Sequence, residues 1–202
     1  VLSLEGKTKR AIVVGIPGVG KTTVITRSVE ALSSMGYDAK LVVFGTVMFE
    51  EAAKKGVKHR DEMRKLPIEE QRSLQEQAAA KIASMQDDIV LIDTHLFIST
   101  KQGYYPGLPL YLLNLLRPTN LILVAAEPHE VLNRRLNDKS RQRDLINEKE
   151  IAHELEIARI MVAACSILTG APFAIVMNRD GNVDSAVNEL INLLGDSERG
   201  YR

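Results

Sequence analysis

The sequence predicts a three-layer α/β domain, a five-stranded parallel sheet flanked by helices, and three observations predict it. Five short apolar runs alternate with stretches of helical period, the pattern of strands joined by helical crossovers. The first run leads into Gly15, Ile16, Pro17, Gly18, Val19, Gly20, Lys21, Thr22, which fits the pattern G-x-x-x-x-G-K-[ST] at every fixed position. The 202 residues suit one domain, and no internal repeat, linker or low-complexity tract divides them.

Each element follows in order. Val1 to Arg10 is a polar lead-in, and Ala11 to Val14 is the first strand. From Thr22 the apolar positions Ile25, Val29 and Leu32 recur at helical spacing until Gly36 stops the helix. Lys40 to Phe44 reads as the second strand, followed by Gly45, Thr46, Val47 and Met48 as a ligand-facing strand end, with Met48 and Phe49 fitting either an apolar wall or the core. Glu50 to Lys55 reads as a helix broken by Gly56, and His59 to Lys65 is densely charged. Pro67 opens a long helix whose buried stripe is Leu74, Ala78, Ile82 and Met85.

Ile89 to Ile92 is the third strand, closed by Asp93. Thr100 to Pro109 is too rich in Gly, Pro and Tyr to be regular throughout, and its paired aromatics fit either a base-lining loop or a rigid surface loop. Leu110 to Leu116 is a brief helix, Asn120 to Ala125 the fourth strand and Pro128 to Lys139 a helix. Glu150 to Thr169 is the longest helix, apolar nearly all round between Ile160 and Leu168, so it is either central in the fold or shared with another subunit. Pro172 to Met177 is the fifth strand, and a last helix carries Val187, Leu190, Ile191 and Leu194.

The octapeptide dictates a chemistry. Glycines let successive backbone amides point inward at polyphosphate oxygens, and the following helix start favours the same anion. Gly15, Ile16, Pro17, Gly18, Val19, Gly20, Lys21, Thr22 and Thr23 therefore form the expected nucleoside triphosphate-binding loop, with Lys21 on the β and γ phosphates. Thr23 fits an α-phosphate contact or an ordinary first-turn position. Thr22 and Asp93 supply the hard oxygens that Mg2+ needs, Asp93 through the water shell of the ion, although a strand-ending aspartate can also cap a turn. His95 is left open between a phosphate-orienting and a packed role. Arg134, Arg135, Arg141 and Arg143 fall within ten residues, interspersed with Asp138 and Asp144, and read as a clamp for a transferring phosphoryl group.

Composition narrows the class. Twenty-six basic residues balance 26 acidic ones, which argues against a broad nucleic-acid footprint or general attraction to anionic membranes. Cys165 is the single cysteine, which excludes an internal disulfide and a multi-cysteine zinc site; it reads as a small buried hydrophobe. With no apolar run of about 18 residues, a cytoplasmic, soluble protein is expected. A guanine-nucleotide switch fails on both of its motifs: Asn178, Arg179, Asp180, Gly181 is not N-K-x-D, and Asp93, Thr94, His95, Leu96 is not D-x-x-G.

The phosphate loop, Phe44 to Met48, Arg60 to Leu66, Asp93 to His95, Gly103 to Pro109, Arg134 to Asp144 and Leu168 to Ala171 together resemble the archaeal-type adenylate kinases. That resemblance runs from Ala11 to about Leu194 and implies a phosphate-loop fold of the nucleoside monophosphate kinase kind, acting as ATP:AMP phosphotransferase. It implies a single kinase domain over residues 1–202, with an AMP-binding region at about 45–88 and a short closing lid at about 137–149. On its AMP side fall Thr46, Met48, Arg64, Tyr104, Gly107 and Leu108; Lys21 and the arginines 134, 135, 141 and 143 are its catalytic cations. It also implies a homotrimer. Another nucleoside monophosphate or small-metabolite kinase is the neighbouring reading, and an ATP-dependent binding or assembly module the non-kinase one.

Overall fold

The computed structural model describes residues 8–137 and 147–195. β1 (Lys9–Val14) runs parallel to β3 (Ile89–Asp93) on one side and to β6 (Asn120–Ala125) on the other. β2 (Ala39–Val43) and β7 (Phe173–Met177) complete the sheet as its edges, in the order β2-β3-β1-β6-β7. The five expected strands and their parallel arrangement are thus observed. All of β1 from Ala11 to Val14 and most of β3 and β6 are buried, as central parallel strands covered on both faces must be.

Helices cover both faces. α1 (Lys21–Ser34) packs against α7 (Val183–Leu194), while α4 (Leu110–Leu116) packs against α6 (Glu148–Thr169), which lies over β6. α2 (Phe44–Lys54) and α3 (Ile68–Ala83) pack on each other, joined by a 3-10 turn at Arg60–Lys65. They enclose a small cluster of their own, with Ala52, Met63 and Leu74 at its centre, beside the main core. Glu62 closes that 3-10 turn by accepting the N–H groups of Lys58 and His59, which holds its carboxyl below the usual carboxylate range. α5 (Pro128–Asn137) follows β6. Among the described residues no helix is long and apolar enough to cross a membrane.

One local reading needs correction, and the structure resolves two others further. The second strand ends at Val43, and α2 begins at Phe44, so Gly45, Thr46 and Met48 lie in a helix and not in a strand-end loop. The helix extends this far because Phe44, Val47, Glu51 and Ala52 form one buried stripe, and the Arg60 guanidinium lies close against Gly45, where a Cβ would have to displace it. Within the Gly, Pro and Tyr-rich stretch, β4 (Phe97–Thr100) and β5 (Gly103–Pro106) form an antiparallel hairpin. The Thr100 hydroxyl closes its turn, donating to the Gly103 carbonyl at 2.8 Å. Finally, α6 is not buried all round: Ile151, Leu155, Ala158, Val162 and Cys165 face the core, whereas Ile160, Ile167 and Leu168 are exposed. Cys165 is the small buried residue expected, and burial pushes its thiol pKa up, which leaves it a poor nucleophile.

Candidate active site

A parallel sheet collects its ligand-facing loops at the carboxyl ends of its strands, beside the strand where the winding reverses. Here that strand is β1, with β3 and β6 as neighbours on either side. The register aligns Val13, Asp93 and Val43 across β1, β3 and β2, so Asp93 stands level with a β1 residue two positions before Gly15, where the phosphate loop begins. The cleft at this edge has a volume of about 570 Å³ and is lined by the loop from Gly15 to Thr23, by Val43, Arg60, Asp93 and His95, and by Arg134.

The loop is built for an anion. Gly20 stands at the N-terminus of α1 with φ 81°, no side chain caps the helix there, and no acidic residue occupies its first turn. Among the described residues no side chain therefore competes for the first amides of α1. Thr22 and Thr23 are exposed towards the cleft. Lys21 forms an ion pair with Asp93, and both side chains are only about a tenth exposed, at 11% and 12%. Burial pulls the Lys21 ammonium down to about 8. An incoming triphosphate favours the charged form, so nucleotide binding at pH 8.5 should take up protons, and at pH 7, where Lys21 is already charged, it should not. Calorimetry of ATP binding in buffers of differing ionisation heat reads this directly; no buffer dependence at pH 8.5 would place Lys21 away from the phosphates.

Behind the loop, side chains hold its outward carbonyls. Arg135 Nε donates to Pro17 O at 2.8 Å while its Nη2 pairs with Glu154 of α6 at 2.8 Å. Arg134 Nη1 donates to Val19 O at 3.1 Å, and its remaining donors go to Asn178 O and Asp180. Asn178, buried at the end of β7, donates from Nδ2 to the same Val19 carbonyl at 2.8 Å. Arg141 and Arg143, with most of the expected lid, lie outside the described residues.

The acceptor-side residues are placed unevenly. Thr46 is exposed in the first turn of α2, and Met48 is half-buried against both hydrophobic clusters. Arg64 is exposed on the 3-10 turn and does not line the cleft, whereas Arg60 of the same turn does. Tyr104 stacks edge-on with Phe97, ring centroids 5.0 Å apart, and also approaches His153. Gly107 donates to Leu96 O at 2.8 Å and Leu108 is buried. Arg60 and Asn178 are the cleft and loop residues that the sequence reading left unassigned. Asn178 follows the end of a parallel strand, a position that favours ligand-facing groups; Arg60 was indistinguishable from its charged neighbours.

The AAA domain family matches residues 14–152. An adenylate kinase of Methanocaldococcus jannaschii is 46% identical over 190 residues, covering 93% of this chain and 99% of the relative. The chain belongs to the archaeal adenylate kinase family. Other adenylate kinases agree: that of Pyrococcus horikoshii is 44% identical, covering 94% of this chain and 97% of its own, and that of Sulfurisphaera tokodaii 43%, covering 91% and 98%. A shikimate kinase from Acinetobacter baumannii shares the fold at a TM-score of 0.58 and 16% identity, covering 93% of both chains. Membership in the adenylate kinase family accounts for a cleft that a phosphate loop shares with Arg60 of the turn between α2 and α3.

Proposed function

We propose that the chain catalyses reversible transfer of the ATP γ phosphoryl group to AMP, giving two ADP, in the cleft between the phosphate loop and the α2–α3 unit. The observation that carries this reading is the alignment of Lys21, Thr22 and Asp93 at a helix start that no side chain caps, with Arg60 facing the same cleft. An acceptor screen with Mg-ATP tests it: AMP should be the preferred acceptor, and ATP consumption without any acceptor would indicate a different enzyme.

An AMP phosphate oxygen attacks the γ phosphorus as the bond from that phosphorus to the β-bridging oxygen breaks. The attacking oxygen is already ionised near neutral pH, so no side-chain base is needed, and the chain supplies alignment and charge. Lys21 leaves Asp93 for the donor phosphates, while the loop amides hold the β phosphate. Arg134, which lines the cleft, forms the cationic wall with Arg141 and Arg143, the last two brought in by a lid at about 137–149 that excludes water, while Arg135 serves the donor side from behind by bracing the loop at Pro17 O. Thr22 and Asp93 present two hard oxygens to the same cleft, a donor set that suits Mg2+, which retains most of its water. Bound there, Mg2+ would neutralise charge on the transferring phosphates.

The acceptor region spans about 45–88 and includes Thr46, Met48 and Arg64, with Tyr104, Gly107 and Leu108 on the far side. Arg60 joins it, because its guanidinium lies against Gly45 at the mouth of the cleft. Arg60→Ala should raise the AMP Michaelis constant about tenfold or more and leave ATP affinity within about twofold. Arg64→Ala in parallel ranks the two; an ATP-side defect from either would move that arginine to the donor site.

A homotrimer in the cytoplasm completes the proposal. Ile160, Ile167 and Leu168 on α6 and the nearby Phe173 on edge strand β7 expose apolar surface, Ile167 to 84%. Light scattering should give three chains per particle, and a single-chain mass at micromolar concentration would remove the trimer. The charge balance leaves nucleic acid and membrane outside the proposed partners.

A further inference from the structure

We infer that Asn178 is a positioning residue for the donor phosphates, acting through the backbone of the phosphate loop. In a trans peptide the carbonyl and the following N–H point in opposite directions, and the described chain contains no cis peptide. Fixing Val19 O on the outer side of the loop therefore aims the Gly20 N–H at the cleft. Asn178 does this with a buried 2.8 Å hydrogen bond, the shorter of the two that Val19 O accepts, the other coming from Arg134 at 3.1 Å; the Asn178 residue is only 6% exposed. The fit is close enough that a Cβ on Gly20 would run into Asn178 Nδ2.

The Asn178 backbone is held by both its N–H and its carbonyl, and the chain just beyond it is tied down as well. Its N–H donates to Ala125 O at the end of β6, its carbonyl accepts from Arg134 Nη2 at 2.9 Å, and two residues later the Asp180 N–H donates to the buried Glu130 at 2.6 Å. Glu130 also accepts the Glu127 N–H at 3.0 Å, which ties the loop after β7 to the start of α5. A backbone anchored this firmly fixes the base of the Asn178 side chain, so its amide can hold a carbonyl in one orientation before any nucleotide arrives, which is what preorganised anion binding requires. Asn fits where Asp would not, because the contact needs an N–H donor facing a carbonyl oxygen.

This inference rests on the reading of the cleft as a Mg-ATP site, and the test separates the two. Asn178→Asp keeps the shape and removes the donor, and Asn178→Ala removes both. Each is compared with the unsubstituted chain by calorimetry with Mg-ATP and with AMP, by steady-state kinetics and by thermal melting. Both variants should bind Mg-ATP at least about tenfold more weakly and turn over at least about tenfold more slowly, with AMP affinity within about twofold, and Asp should be worse than Ala. If Asn178→Ala does not fold, the isosteric Asn178→Asp carries the comparison. Mg-ATP affinity and turnover within twofold of the parent would overturn the assignment, as would equal losses for Mg-ATP and AMP alongside a lowered melting temperature. Failure of the unsubstituted chain to bind Mg-ATP would instead overturn the reading of the site.

Discussion

Lys21→Met is expected to lower turnover by about a hundredfold or more while the protein still folds and still binds AMP. In the structure Lys21 pairs with Asp93 inside the cleft, at the start of α1, so its charge is already in place before the donor arrives. The transferring phosphoryl group develops charge that only a mobile cation at that point can follow, and methionine has the length without the charge. Loss of the pair also leaves Asp93 unmatched, so a modest change in melting temperature accompanies the kinetic one. Circular dichroism and a coupled ADP assay on the same preparation separate the two effects. A folded variant with turnover near that of the parent would remove Lys21 from the reaction.

Gly20→Ala is expected to be nearly as damaging, for a different reason. Gly20 has φ 81°, a left-handed conformation that costs an L-residue roughly 1–2 kcal/mol. The added methyl would also meet the Asn178 amide, so the loop must shift outward or Asn178 must release Val19 O. Either movement turns loop amides away from the phosphates, and Mg-ATP affinity should fall by about a hundredfold. AMP binding, on the α2–α3 side, should change little. Equilibrium titration with each nucleotide shows the asymmetry; equal weakening of both would mean that the substitution damages the whole fold.

The donor side of the site was legible in the sequence because its information is local. Gly15 to Thr22 is one continuous pattern, and Asp93 stands at the end of an apolar run that can only be a central strand. The five parallel strands were legible for the same reason. What escaped depends on residues far apart in the chain. Asn178 reaches Val19 across 159 positions, and in the sequence it registers only as part of a failed guanine motif. Arg60 sits among charged neighbours, and nothing local marks it as the one that meets Gly45 in the cleft. Gly45 itself reads as part of a strand end, whereas it lies within α2 beside that guanidinium. The hairpin of Phe97–Thr100 and Gly103–Pro106 was hidden by composition: the Gly and Pro that argue against regular structure stand at the ends of β5, where a short strand tolerates them.

The most direct measurement follows the phosphoryl group itself. ATP labelled at the γ phosphorus is incubated with AMP, Mg2+ and the purified chain, and the products are separated. Label should appear in the β position of ADP, with two ADP formed for each ATP consumed and no inorganic phosphate. Label released as inorganic phosphate at the same rate with or without AMP would show that water, not AMP, is the acceptor in this cleft.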